Sequence, residues 1–256
     1  MPEKDLLIVF DLVSTLTDAG PRYVRAFAEV CAAQGFGMPD EQEITAMLGN
    51  KNLGEITDHF AGPLDGQKKK EFMAACNKTC DALLMRPDWQ EHLFPNVRET
   101  VETLHLRGVT LGIYTGTRED AMAAQLSYHG LNDIFDPRYL RGKDNTRDAG
   151  KHNNDLKAEQ LRSLVEQFRQ DTGSKDAPIV VIGDSEADAQ AAASLGLFFV
   201  GFAAEEKKKQ HLEQAGVKDM LRDFGDLPDL AERLCCPAVN DNHPSVQALK
   251  VAPPKP

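Results

Sequence analysis

Four short, almost continuously apolar segments set the strongest limit on how this chain folds. They are LLIVF at residues 6–10, VTLGIYT at 109–115, IVVI at 179–182 and LFFVG at 197–201. Strands without polar alternation are typical of parallel sheets that are buried on both faces. Longer segments with helical periodicity lie between them, at 97–107, 118–129 and 155–170. This alternation predicts an α/β fold built on a doubly wound parallel sheet.

A long segment of different character separates the first predicted strand from the second. Residues 21–34 carry Val24, Phe27 and Cys31 at helical spacing, and the sequence onward to Leu84 shows no strand pattern. We therefore predict a core of residues 1–17 and 90–234, interrupted by a helical insertion at 18–89. Residues 235–256 are rich in Pro and Asn without periodicity, which predicts a flexible tail.

The net charge limits the partners that this chain can bind, and the cysteines indicate its cellular compartment. The 256 residues include 29 Lys and Arg against 40 Asp and Glu, a formal charge of −11. An acidic chain is repelled by nucleic acid and by anionic lipid, so we expect neither as a partner. The apolar segments are too short to span a membrane. Five cysteines, an odd number without the spacing of a disulfide framework, predict a cytoplasmic protein.

Polar residues follow the predicted strands at four places. Asp11 follows the first strand, Thr115 and Gly116 close the second, Lys151 precedes a long helix, and GDSEAD at 183–188 follows the third strand. Each has an ordinary structural explanation, such as a turn aspartate, a helix-capping serine or a surface lysine. Because ligands bind at the carboxyl ends of parallel strands, their combined order favours one shared site.

These four segments resemble the ordered motifs of the haloacid dehalogenase-like (HAD) hydrolases. The matching segments are FDLxxTLTD at 10–18, TG at 115–116, GK at 150–151 and GDSxxD at 183–188, and the resemblance spans about residues 6–234. The insertion resembles the helical cap of the phosphoglycolate phosphatase and β-phosphoglucomutase branch. The resemblance implies a Rossmann-like core, Mg²⁺ as cofactor and a small phosphorylated metabolite as substrate. We expect a monomer or a homodimer.

The resemblance also implies roles for individual residues. Asp11, Thr115 and Lys151 would be catalytic, with Asp11 attacking phosphorus to form an aspartyl-phosphate. The phosphoryl group or the rest of the substrate would be bound by Thr115, Gly116, Lys151 and Arg118. The metal would be held by Asp11, the carbonyl of Val13, Asp184 and Asp188, with Asp188 supporting the metal shell. Oxygen ligands of this kind suit Mg²⁺.

Val13 departs from the pattern of the phosphatases, which carry a general acid and base Asp at this position. Valine transfers no proton, and such assistance is worth about 10²–10⁴ in rate. Three alternatives remain: a slow phosphatase, a carbon–phosphorus hydrolase resembling phosphonoacetaldehyde hydrolase with Lys51 as its Schiff-base lysine, and a silent scaffold that binds a phosphorylated ligand or a protein. The Asp184 and Asp188 pair disfavours a fourth, a 2-haloacid dehalogenase.

Overall fold

The computed structural model describes residues 6–48, 53–86, 89–144, 146–148 and 153–235. The chain divides into two compact units: unit 1 comprises Met1–Thr17 and Leu93–Pro256, and unit 2 comprises Asp18–His92. The predicted insertion begins at the same residue as unit 2 and ends three residues before it. Of the predicted tail, only Cys235 lies within the described residues, as the last residue of a helix.

Eight strands lie in the described part of the chain. They are β1 (Leu7–Asp11), β2 (Thr17–Asp18), β3 (His92–Leu93), β4 (Thr110–Arg118), β5 (Leu140–Lys143), β6 (Ile179–Gly183), β7 (Phe198–Phe202) and β8 (Met220–Leu221). Six of them form one parallel sheet in the order β5-β4-β1-β6-β7-β8, and β2 pairs with β3. The parallel α/β prediction is confirmed. The strands β5 and β8 of this sheet were not predicted, because β5 (LRGK) is mostly polar and β8 has only two residues.

Ten α-helices lie among the described residues. They are α1 (Gly20–Ala33), α2 (Glu41–Leu48), α3 (Leu53–Ala61), α4 (Gly66–Leu84), α5 (Val97–Leu106), α6 (Glu119–Tyr128), α7 (Asn153–Thr172), α8 (Glu186–Ser194), α9 (Glu206–Gln214) and α10 (Leu227–Cys235). Short 3₁₀ helices cover Pro137–Tyr139 and Phe224–Asp226. Gly108 and Gly130 follow the ends of α5 and α6 and have φ angles of 86° and 58°. A left-handed residue at this position is the common end of a helix.

Successive residues of β1 pack on opposite faces of the sheet. Leu6, Ile8 and Phe10 belong to one hydrophobic cluster, which includes residues of α5, α6 and α10. Leu7 and Val9 belong to a second cluster, which includes residues of α7 and α8. Because side chains alternate along a strand, Asp11 continues the row of Leu7 and Val9. The sequence of β1 therefore directs the Asp11 carboxylate to the face covered by α7.

The strand order places a switch point beside β1. From β1 the core of unit 1 continues to β4 and β5 on one side, and then returns to β6, β7 and β8 on the other. Crevices at such points, outside the carboxyl ends of the strands, are where open α/β sheets bind ligands. Asp11 ends β1 and Asp184 directly follows β6, so two candidate site residues meet at this point.

Unit 2 contains α1, α2, α3 and α4 and has its own apolar core. Phe27 and Phe72 pack edge to face, with ring centroids 5.3 Å apart. Cys31, Cys76 and Cys80 are buried free thiols in this unit. In the described ranges, no helix has the length and apolar character that crossing a bilayer requires.

Candidate active site

Three buried carboxylates converge at the carboxyl ends of β1 and β6. One oxygen each of Asp11, Asp184 and Asp188 can be chosen so that all three lie within 4.8 Å of one another. Asp11 is the last residue of β1, and Asp188 lies in the first turn of α8, which begins just after β6. All three residues are at most 6% exposed. The structure thus brings together three of the four predicted metal residues through their side chains.

Asp188 is held by four hydrogen-bond donors. Its Oδ1 accepts from the Tyr114 hydroxyl and from Lys157 Nζ, both at 2.7 Å. Its Oδ2 accepts from the amide and the hydroxyl of Ser185, at 3.1 and 2.5 Å. Ser185 also caps α8, because its side chain accepts from the Asp188 amide in a capping box. The contacts between Ser185 and Asp188 therefore both cap α8 and orient the Asp188 carboxylate.

Gly183 is required by the close approach of Asp188. A Cβ atom at residue 183 would lie 2.5 Å from Cγ and 2.6 Å from Cβ of Asp188. No side chain fits at that distance, so the glycine of the GDSxxD segment makes room for the carboxylate beside β6.

Lys157 is the cation at the centre of the cluster, and the sequence analysis missed it. Its Nζ lies 3.3 Å from Asp11 Oδ1 and 2.7 Å from Asp188 Oδ1, and its side chain is 6% exposed. Burial opposes the charge of the ammonium, but the attraction of Asp11 and Asp188 outweighs burial and raises the pKa of Lys157. It therefore supplies a fixed positive charge next to the candidate nucleophile.

The helical spacing of α7 contained the signal that could have identified Lys157. Leu161, Leu164 and Phe168 form the buried stripe of this helix, and Lys157 lies one turn before Leu161 on the same stripe. A lysine on an apolar stripe needs an anionic partner, because an unpaired buried charge is costly. Lys151 was chosen instead because it precedes the helix, and it lies outside the described residues.

Asp184 faces a second, more exposed cation. Lys208 Nζ of α9 lies 2.5 Å from Asp184 Oδ2, and the lysine side chain is 38% exposed. Thr15 Oγ1 donates to Asp184 Oδ1 over a longer distance of 3.5 Å. Burial raises the pKa of Asp184, while Lys208 opposes that rise. Burial also raises the pKa of Asp11 well above its ordinary range, with Lys157 opposing.

Tyr114 is a further buried residue of the site that the sequence analysis passed over. It pairs with Asp11 across the β1–β4 ladder, and its side chain is fully buried. The Lys157 ammonium lies 5.6 Å from the centroid of its ring. Tyr114 thus contacts both ion-pair partners, through its hydroxyl to Asp188 and through its ring to Lys157.

The remaining predicted residues are distributed between the site and the surface. Thr115 is buried in β4, followed by Gly116, and its hydroxyl accepts from the Thr117 amide at 3.2 Å. Arg118 is half-buried, its side chain is 42% exposed, and it pairs with Asp120, two residues further along the chain. Val13 is half-buried, and its side chain packs against the hydrophobic cluster of Phe10.

The donor set fits a hard divalent cation. When all five groups are ionised, three carboxylates face two ammonium groups and leave a surplus of one negative charge for a cation to balance. The carboxylate oxygens of Asp188 accept four hydrogen bonds from protein groups, whereas those of Asp11 and Asp184 accept fewer from the described residues. Oxygen-only ligand sets of this kind are what Mg²⁺ binds. These residues could hold one ion at the end of β1.

Comparison with known proteins assigns the family. Residues 6–196 match the family described as haloacid dehalogenase-like hydrolase. A phosphoglycolate phosphatase of Vibrio vulnificus (strain YJ016) is 29% identical over 139 residues, which is 50% of this chain and 58% of that protein. One from Cereibacter sphaeroides is 26% identical over 238 residues, 89% of this chain and 98% of that protein. The first relatives are thus matched over somewhat more than half of their length.

Solved structures show the same fold. A putative phosphatase from Clostridium difficile superposes with a TM-score of 0.66 at 16% identity, covering 88% of this chain and 97% of the other. A predicted phosphoglycolate phosphatase from Haemophilus somnus gives a TM-score of 0.62 at 20% identity, covering 90% and 99%. The resemblance to the phosphoglycolate phosphatase and β-phosphoglucomutase branch is confirmed. The chain belongs to the haloacid dehalogenase-like hydrolase family.

Proposed function

We propose that this protein hydrolyses a small phosphate ester with Mg²⁺, through an aspartyl-phosphate formed on Asp11. The single observation that carries the proposal is the meeting of Asp11, Asp184 and Asp188 with Lys157 at the switch point of the sheet. A carboxylate nucleophile divides hydrolysis into two easier steps. Its neighbours supply the positive charge that a transferring phosphoryl group needs.

In this proposal each described residue has one task. Asp11 attacks phosphorus with the oxygen that is not paired to Lys157. Lys157 neutralises charge at the phosphoryl oxygens, the role that the sequence analysis gave to Lys151. Thr115 and the Gly116 amide bind the same group by hydrogen bonds.

Mg²⁺ would be held by Asp11, Asp184 and the carbonyl of Val13, with Asp188 supporting this shell through its own hydrogen bonds. When bound, the ion would supply charge neutralisation and alignment of the phosphoryl group. Asp188 would hold Lys157 in place together with Asp11, because a buried ammonium stays charged only beside anionic partners.

In this proposal, Val13 determines how fast Asp11 is phosphorylated and which leaving groups are preferred. The Val13 side chain packs against apolar neighbours and transfers no proton. Departure of an alkoxide is slow without protonation, whereas a phenolate or a carboxylate leaves readily because its conjugate acid has a much lower pKa. We propose that alkyl phosphates phosphorylate Asp11 slowly and that aryl and acyl phosphates phosphorylate it faster.

The relatives suggest where the search for a substrate begins. Several are named phosphoglycolate phosphatase, so phosphoglycolate is the first alkyl ester to test. The insertion is proposed to act as a cap that chooses the substrate. Lys51, on which the carbon–phosphorus alternative depends, lies outside the described residues.

The test is release of phosphate by purified protein with Mg²⁺. The panel contains phosphoglycolate, further alkyl phosphates, an aryl phosphate, acetyl phosphate and phosphonoacetaldehyde. We expect release from the aryl and acyl compounds, loss of release with EDTA, and loss in Asp11→Asn. Glu186→Gln, on the surface of α8, is the matched control and keeps wild-type rates. Absence of release from every compound would favour the silent scaffold, and acetaldehyde from phosphonoacetaldehyde would favour the carbon–phosphorus reaction.

A further inference from the structure

The end of β4 is supported by a side chain of α7 that lies outside the family-like motifs. Gln160 Nε2 donates a hydrogen bond to the carbonyl oxygen of Thr115 at 3.0 Å. The Gln160 side chain is buried, with 5% of the residue exposed. Gln160 lies three residues after Lys157, so both residues project from the same side of the helix.

The hydrogen bond from Gln160 lies where the pairing of β4 with its neighbouring strands is irregular. The register of β4 with β1 ends at the pair Tyr114 and Asp11. The register of β4 with β5 shifts between Tyr114 and Arg118. A buried backbone carbonyl that leaves a ladder needs another donor. Gln160 supplies that donor to Thr115, at the residue proposed to bind phosphate.

The hydrogen bond fixes the orientation of one peptide group. All described peptide bonds are trans, and a planar trans peptide directs its C=O and its N–H to opposite sides. Because the Thr115 carbonyl faces Gln160, the amide N–H of Gly116 faces away from α7. Rotation of this peptide would break the bond to Gln160.

The second polar atom of the Gln160 amide shows that fold stability alone does not account for this residue. Gln160 Oε1 is buried and has no hydrogen-bond partner among the described residues. A buried acceptor without a partner carries a desolvation cost that a leucine would avoid. At Gln160 this cost is retained beside the site, where the amide nitrogen contacts Thr115.

We propose that Gln160 is a positioning residue, which orients the Thr115–Gly116 peptide so that the Gly116 N–H donates to a phosphoryl oxygen. This inference rests on the proposed function, since it needs a phosphoryl group at Asp11. Gln160 itself touches the backbone of Thr115 and acts through it.

The test compares two glutamines of the same helix. Gln160→Leu removes the donor beside Thr115, and Gln167→Leu removes one that contacts Asp171 at the surface. Binding of inorganic phosphate is measured by titration calorimetry with saturating Mg²⁺, and binding of Mg²⁺ is measured separately. We expect Gln160→Leu to weaken phosphate binding about tenfold, the effect of one hydrogen bond, and to raise KM for the aryl phosphate. Mg²⁺ affinity and the Gln167→Leu values stay at wild-type levels.

Three outcomes would overturn the inference. Phosphate binding by Gln160→Leu equal to that by Gln167→Leu shows that the contact does not orient the peptide, while the proposed function stands. An equal loss of Mg²⁺ and phosphate affinity shows a general structural role instead. If wild type binds no phosphate and releases none from any ester, the proposed function fails and this inference fails with it. Should Gln160→Leu not fold, Gln160→Met keeps the side-chain length without the donor and undergoes the same comparison.

Discussion

The two sides of the carboxylate cluster are built differently. On the α7 side, Lys157 is 6% exposed, pairs with two carboxylates and lies against the ring of Tyr114. On the α9 side, Lys208 is 38% exposed and pairs with Asp184. A buried cation with two partners is fixed in place, whereas an exposed ion pair is weak and readily exchanged. The α7 side therefore supplies permanent charge, and we propose that an incoming cation replaces Lys208 on the α9 side.

The largest predicted effect comes from removing the fixed cation. Lys157→Met should lower kcat/KM for an aryl phosphate by at least about hundredfold, because a preorganised charge at the phosphoryl group is lost. The metal-free protein should also unfold at lower temperature, since two buried carboxylates lose their partner. Steady-state kinetics and thermal unfolding measure both. Lys208→Met is the matched control, and an equal loss of activity in the two variants would contradict the comparison.

The second effect is a gain at Val13. Val13→Asp should raise kcat/KM for an alkyl phosphate by about tenfold to hundredfold, because it introduces a proton donor for the leaving group. The kcat/KM for an aryl phosphate, which reports formation of the aspartyl-phosphate and not its hydrolysis, should rise less, since that leaving group needs no proton. Val13→Asn has nearly the same shape without the acid and should give no gain. An equal gain on both esters would show that position 13 does not protonate the leaving group.

The third effect is the pH dependence of metal binding. Burial raises the pKa of both Asp11 and Asp184, so the metal-free fold favours their protonated forms and loses stability as pH rises and they ionise. Mg²⁺ requires the ionised forms, so its affinity should rise with pH, by up to about tenfold per pH unit for each proton released. Calorimetry in buffers of different ionisation enthalpy counts these protons. Binding without proton release would contradict this explanation.

The fourth effect concerns Tyr114, which supports Asp188 on the α7 side of the carboxylate cluster. Tyr114→Phe removes the hydroxyl that donates to Asp188 and keeps the ring near Lys157. We expect a loss of about 1–3 kcal/mol in the free energy of unfolding, since the bond is buried and its acceptor is charged. Denaturant unfolding measures it. Tyr128→Phe, at an exposed tyrosine, is the control and should leave stability unchanged.

The smallest predicted effect concerns Lys208, on the α9 side of the carboxylate cluster. Lys208→Met should tighten Mg²⁺ binding by about twofold to fivefold, the range of a weak surface ion pair, because the ion no longer competes with an ammonium for Asp184. Calorimetric titration with Mg²⁺ measures the change. Lys207→Met, at the neighbouring residue of α9, serves as the control. Weaker binding in Lys208→Met would mean that the lysine holds Asp184 in position for the ion.

The sequence predicted which residues lie at the strand ends, but only some of the side chains that contact them. Asp11, Thr115 and Asp184 were predictable because each follows a strongly apolar strand, and parallel strands end at one edge of the sheet. Lys157 was missed because α7 is mostly polar, so a lysine in it resembled a surface residue. Its role depends on how α7 lies against β1 and β4, which local pattern does not encode.

The same reason explains the other missed residues. Tyr114 was assigned to a buried strand, but its hydroxyl partner is Asp188, 74 residues further along the chain. Gln160 contacts Thr115 across 45 residues, and Lys208 belongs to a lysine cluster that is typical of a solvated helix. Contacts over such distances arise from the packing of helices on the sheet. Hydrophobic periodicity predicts which face of a helix or strand is buried, but it does not predict which distant residue that face contacts.

The most direct test of the central claim is to isolate the phosphorylated protein. Wild type is mixed with Mg²⁺ and the aryl phosphate, quenched in acid, digested and analysed by mass spectrometry. Since Val13 is expected to slow removal of the phosphoryl group, the peptide containing Asp11 should carry the mass of one phosphoryl group. That mass should be absent with EDTA and in Asp11→Asn. Phosphate release by wild type with an unmodified Asp11 peptide at every quench time, or phosphorylation at another residue, would contradict the account.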